Sequence, residues 1–177
     1  MPTPSNRDAT VDDKDLAARL IRELKLVPHP EGGFYRETWR DPLRVTRPDG
    51  ASRDASTGIY YMLCADSYSA WHRIQANEAW HFYAGTPIDV HVLSGRDTVI
   101  THRLGNPLQY SEAQFQVVVP AGHWFAAERV AGAHGFALAG CTVAPGFEFS
   151  EFELADAAAL VREYPSHRAL IERLAPR

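Results

Sequence analysis

The chain has 177 residues, a net charge of −4, 45% hydrophobic and 23% charged residues, a balance that suits one globular domain able to bury a core without disulfides or a structural metal. The slight acidity, with no run of basic residues, argues against the clustered Lys and Arg that nucleic-acid phosphates demand. No apolar stretch approaches the ~20 residues that span a bilayer, and the polar stretch from Met1 to Asp15 lacks the apolar core of a secretory signal, so a cytoplasmic protein is expected.

Residues 1–11 read as a loose N-terminal tail and residues 12–177 as a single domain. Asp12 or Asp13 can cap a short helix to about Leu26, with Leu16, Leu20, Ile21 and Leu24 at helical spacing and Pro28 and Pro30 stopping it. Glu31-Gly32-Gly33 turns into a strand, Phe34–Trp39, and Asp41 to Ala55 is a loop or long hairpin connection. Short runs rich in aromatic and β-branched residues follow: Ile59–Cys64, Tyr68–Ile74, Ala79–Tyr83, Ile88–Leu93, Thr98–Arg103, Gln114–Val119 and Phe136–Val143. Turn signals separate them, a spacing that predicts an antiparallel sandwich or barrel. Glu148–Leu154 reads as a last strand and Asp156–Glu163 as a helix; Ser166 can cap a final helix from His167 to Leu174. Cys64 and Cys141 fall in predicted buried strands and read as reduced core thiols.

The densest polar cluster runs from His72 to His81. Strand alternation puts Trp80 and Phe82 on the face of Glu78, and lets His72 and Glu78 converge across neighbouring strands while His81 points the other way unless a bulge re-aims it. A buried carboxylate beside an imidazole can bind a divalent metal, act as an acid/base pair, or hold a polar ligand group. Arg36, near the mouth, suits a bidentate contact to an anionic group. Gln116 is a lumen hydrogen-bonding candidate and Trp124 a candidate pocket wall. One of Tyr60 and Tyr61 lines the lumen, and His91, His102, His134 and His167 read as surface or internally satisfied histidines.

His72, Glu78 and Gly85 resemble the first motif of the cupins, in which His-x-His is followed by Glu and Gly; Ile74 stands where the second histidine would be. Pro120-Ala121-Gly122 resembles the second motif, Pro-x-Gly-x-x-His, with Phe125 in place of its histidine and His123 displaced from it. Four segments are similar, in order, to the cupin-5 (DUF985) family: Pro28-His29-Pro30-Glu31-Gly32-Gly33-Phe34-Tyr35-Arg36-Glu37; His72-Arg73 with Glu78-Ala79-Trp80-His81-Phe82-Tyr83-Ala84-Gly85; Val119-Pro120-Ala121-Gly122-His123-Trp124; and Gly140-Cys141-Thr142-Val143-Ala144-Pro145-Gly146-Phe147. The resemblance runs from about Leu20 to Leu154. It implies an all-β fold, the cupin double-stranded β-helix or jelly-roll barrel, with short N- and C-terminal α-helices. It also implies a homodimer and a pocket like that of nucleotide-sugar epimerases.

The expected protein is therefore a cupin with a small-molecule pocket and no nucleic-acid or membrane partner. As an enzyme it would act on a small polar metabolite, such as a sugar or sugar-nucleotide derivative, by isomerisation or epimerisation. His72 would move the proton and Glu78 would orient it, with Arg36, Trp80, Phe82, Gln116 and Trp124 contacting substrate. Two alternatives stand: a metal-dependent dioxygenase or isomerase, and a non-catalytic binding protein. The metal (Fe, Mn, Ni or Zn) would rest on His72 and Glu78, completed by His81, His123 or Gln116.

Overall fold

A computed structural model describes residues 13–132 and 135–177. The tail expected over residues 1–11, the capping side chain of Asp12 or Asp13, and His134 lie outside them. Helix α1 (Asp13–Glu23) opens the described chain. Thirteen strands follow: β1 (Val27–Pro28), β2 (Phe34–Arg40), β3 (Arg44–Thr46), β4 (Ser52–Asp54), β5 (Thr57–Cys64), β6 (Ser69–Arg73), β7 (Asn77–Gly85), β8 (Ile88–Gly95), β9 (Thr98–Leu104), β10 (Gln116–Val119), β11 (Phe125–Arg129), β12 (Phe136–Ala144) and β13 (Glu153–Leu154). Helices α2 (Ala157–Glu163) and α3 (Arg168–Arg173) close the chain.

The strands form a six-stranded sheet, β1-β2-β5-β12-β7-β10, and a five-stranded sheet, β13-β6-β11-β8-β9, face to face, the jelly-roll arrangement that the resemblance implies; β3 and β4 pair separately as a small hairpin. Period-two alternation builds the core between them. Tyr61 and Leu63 of β5, Trp80 of β7 and Ala139 and Cys141 of β12 meet Val90 and Val92 of β8 and Phe125 and Ala127 of β11. The alternate residues face outward under helices. Met62 and Leu138 pack with α1, and Leu93, Trp124 and Ala126 pack with Leu160, Val161 and Ile171 of α2 and α3. Among the described residues no helix is long and apolar enough to cross a membrane.

Several elements differ from the sequence reading. Strand β11, central in its sheet, was not predicted: Ala126 and Ala127 have little strand propensity, yet only small side chains fit where both faces are covered. The 148–154 run is a 3₁₀ turn, Phe149–Glu151, followed by the two-residue β13. The last helix begins at Arg168 after a 3₁₀ turn, and Ser166 does not cap it, because its hydroxyl donates to Asp97 at 2.8 Å. Asp156 does cap α2, accepting from the Ala159 amide at 2.8 Å. Both cysteines are free; Cys141 is buried, whereas Cys64 is only half-buried.

Candidate functional site

At one end of the space between the sheets lies a cavity of about 240 Å³, lined on its polar side by His29, Glu31, Tyr61, His72, Glu78 and Cys141. Tyr35, Phe147, Phe149 and Phe152 supply aromatic surface. His72 and Glu78 do not sit on neighbouring strands. His72 is on β6, against Phe125 and Leu154, and Glu78 is on β7, against Val143 and Val119. The two approach from opposite sheets because the connection between β6 and β7 crosses from one sheet to the other.

The partner of His72 is Glu31. Its Oε2 lies 3.1 Å from His72 Nε2, and both side chains are under a tenth exposed. The backbone explains how a carboxylate reaches the interior. Gly32 and Gly33 have φ of +110° and +68°, and a Cβ on Gly32 would stand 2.1 Å from the Tyr68 carbonyl oxygen. Only glycine allows this turn. The Ala70 amide then binds the Glu31 carbonyl at 2.8 Å, and the Tyr61 hydroxyl donates to the Gly32 carbonyl at 2.8 Å.

Hydrogen bonding fixes the protons. The Ala70 carbonyl, 2.8 Å from His72 Nδ1, can only accept, so Nδ1 carries hydrogen. Burial holds the His72 pKa down at about 4, so the ring is neutral near pH 7 and Nε2 is bare. The short contact to Glu31 then requires the carboxyl to donate, in agreement with burial pushing Glu31 up. The pair thus holds one transferable proton, while Ser69 Oγ donates to Glu31 Oε1 at 2.9 Å. His29 completes the group: its Nδ1 lies 3.4 Å from Glu31 Oε2, and burial lowers its pKa.

Glu78 is separate from that pair. Burial first, then the nearby Glu31, pushes its pKa up to about 8; the Cys141 thiol, donating to it, opposes the rise. Glu31 and His29 also border a second cavity of about 160 Å³, on the side of Tyr68 and Arg177.

The wall of three phenylalanines belongs to residues 147–152, which are tied to the β3–β4 hairpin. Arg47 Nη1 donates to both Glu151 oxygens at 2.9 Å, and Arg53 binds the same carboxylate. Arg40 Nη1 donates to Asp54 at 2.9 Å and to Glu148 at 3.1 Å.

Of the residues singled out from sequence, His72, Glu78 and Arg36 line the cavity. The Arg36 guanidinium carbon, however, lies 5.5 Å over the Tyr60 ring, on the outward face. Trp80 faces inward but packs in the core against Tyr61 and Phe125. Phe82 and Gln116 border a shallow outer groove instead, where Gln116 Nε2 donates to His81 Nδ1 at 2.9 Å. Trp124 lies under Arg73, whose guanidinium carbon is 4.4 Å from its ring. Of Tyr60 and Tyr61, the second faces in. His91 is internally satisfied, by Thr101 at 2.9 Å and Glu128 at 3.1 Å.

The residues do not fit a metal. The two further cupin histidine positions are the buried, apolar Ile74 and Phe125, both ring nitrogens of His72 are engaged, His81 binds Thr142 and Gln116 on the outside, and half-buried His123 contacts the Ala121 carbonyl. Among the described residues no cluster of three or more His, Cys, Asp or Glu is placed to hold an ion.

Glu31 and His29 were missed as site residues. Their signal was present in the sequence: a carboxylate followed by paired glycines between a proline-bounded segment and a strand marks a turn held tightly against other backbone.

Residues 18–155 match the family model described as Cupin superfamily (DUF985). A hypothetical protein from Leishmania major superposes with a TM-score of 0.82 at 33% identity, covering 91% of this chain and 99% of that one. A crystal structure from Shewanella oneidensis gives 0.80 at 35% identity, covering 90% and 96%. An uncharacterized protein of Saccharomyces cerevisiae is 29% identical over 146 residues, 75% of this chain and 72% of its own length.

Proposed function

The chain belongs to the DUF985 family of the cupin superfamily, and from that premise we propose that its cavity is the active site of an enzyme that moves protons on a small polar metabolite, as an isomerase or epimerase does. The carrying observation is the contact of Glu31 with His72, 3.1 Å long and buried at the cavity wall. Such a pair can take a proton from a carbon acid at one heteroatom and return it from another, without net charge entering the cavity. Glu78 is a second acid within the same space. A volume near 240 Å³ lies below the usual ~300–1,000 Å³ of ligand pockets. It therefore suits a group the size of a monosaccharide, and the remainder of a sugar nucleotide would stay at the rim, near Lys25 and Arg36.

The test is deuterium incorporation from heavy water into a panel of sugars and small polar metabolites, followed by NMR. Wild-type protein should exchange one carbon-bound proton, and His72→Gln and Glu31→Gln should each slow this by about 10²–10⁴-fold. Undiminished exchange in His72→Gln would remove the reading, and tight binding without exchange would indicate a binding protein. Pairing of two chains through the outer face of the six-stranded sheet belongs to the same proposal, as does the absence of nucleic-acid and membrane partners. That face bears exposed Trp39, Tyr83 and Val118.

A further inference from the structure

We infer that the ligand of the cavity carries a basic nitrogen, so that the substrate class is a small amine such as an amino sugar or amino alcohol; this deepens the acid/base reading above and rests on the same cavity. Glu31 is matched by His72 and Ser69. Glu78 has no such match. It is 8% exposed, faces the cavity, and its hydrogen-bonding partner is the Cys141 thiol, a weak donor.

Protein cations do not fill the gap. Arg40 is committed to Glu37, Asp54 and Glu148. Arg36 lies over Tyr60, and Lys25 stands exposed at the rim. Meanwhile Tyr35, Phe147, Phe149 and Phe152 present rings to the same space. An acid without a counter-charge in a cavity that aromatic rings also line is complementary to an ammonium group, which the rings attract and the carboxylate neutralises.

The proton balance follows from the groups acting on Glu78, Cys141 from β12 and Glu31 from the glycine turn, with His72 of β6 lining the same cavity. An amine arrives from neutral solution as R–NH₃⁺. The Glu78 carboxyl releases its proton to solvent and becomes the carboxylate of an ion pair with the bound ammonium, so one proton leaves per amine bound.

Calorimetry would use three matched probe pairs: D-glucosamine and D-glucose, ethanolamine and ethylene glycol, 3-aminopropanol and 1,3-propanediol. Each is titrated in phosphate and in MOPS at pH 7, buffers of different ionisation enthalpy that contain no primary amine. The inference expects at least one amine to bind about tenfold or more tighter than its neutral match. The buffer dependence of the heat should show close to one proton released, and Glu78→Gln should erase the preference. Neutral members binding as well as the amines, amine binding without proton release, or no amine binding at all would each overturn it. Should Glu78→Gln fail to fold, the wild-type buffer dependence alone decides. Carbon-proton exchange on a neutral sugar would remove this inference and leave the acid/base reading standing; amine binding with no exchange would do the reverse.

Discussion

Two side chains set opposite pH dependences on the folded chain. Glu78 titrates at about 8 against an ordinary 4.5, so between those values the folded chain keeps a proton that the unfolded chain has lost, and stability falls as pH rises. His72 titrates at about 4 against an ordinary 6.5, so in that window the folded chain refuses a proton that the unfolded chain takes, and stability falls as pH drops. The effects oppose each other from 4.5 to 6.5. From 6.5 to 8 that of Glu78 is left. Denaturant unfolding should show wild-type stability declining by roughly 2 kcal/mol between pH 6.5 and 8, at about 1.4 kcal/mol per unit. Glu78→Gln should flatten this slope and be the more stable form at pH 8. An unchanged slope would mean that Glu78 ionises as in water. His72 and Glu78 were legible in the sequence because their spacing and type fit a known motif. Glu31 was signalled by the glycine pair that follows it yet passed over, because a side chain delivered by a turn obeys no strand period.

At the scale of elements, the wall of residues 147–152 is held from outside. Glu151 receives both Arg47 and Arg53, at side-chain exposures of 17%, 16% and 18%. Two arginines converging on one carboxylate form a network, which holds a segment better than an isolated surface pair does. Glu151→Gln should therefore loosen the segment locally: amide exchange at position 151 and at Phe152, whose amides bond Glu148 and Phe149, should speed up about tenfold or more, while strands β5 and β12 keep their protection. Equal exchange in both proteins would show that the ion pairs do not hold the wall. The segment that carries these arginines read as a loop or long hairpin connection; it is a hairpin, whose strands the sequence did not delimit because Arg44–Thr46 and Ser52–Asp54 are three-residue runs, largely polar, around Pro48 and Gly50. Strands facing the core on one side announced themselves by aromatic and β-branched residues. Strand β11 did not, since it is squeezed from both sides and holds alanines.

Over the whole molecule, the helices cover one half of the six-stranded sheet's outer face and leave the other bare. Trp39 sits across Gly58, where a Cβ would meet its indole nitrogen at 2.6 Å, and Tyr83 lies over Gly140 in the same way. This flattens a surface on which Trp39, Tyr83 and Val118 are each about half exposed. Apolar area so arranged favours burial against a second copy. Sedimentation should give twice the chain mass for wild type and one chain mass for the double substitution Trp39→Lys, Val118→Lys; a wild-type monomer would sink the pairing.

The turn that carries Glu31 is also a partition, with about 240 Å³ on one side and 160 Å³ on the other. A tight-fitting ligand in a blind vessel must let water escape past itself, and its arrival is slowed by that counterflow. A vessel that shares the wall of His29 and Glu31 with a second cavity, a rear chamber, would vent backwards if that wall lets water pass. Ala70 borders the rear chamber, so Ala70→Val should throttle the vent. Association and dissociation, followed by stopped flow with whichever probe binds, should slow together while Kd holds, as expected when only the barrier between the same two end states is raised. Unchanged rates would mean that the water leaves by the front.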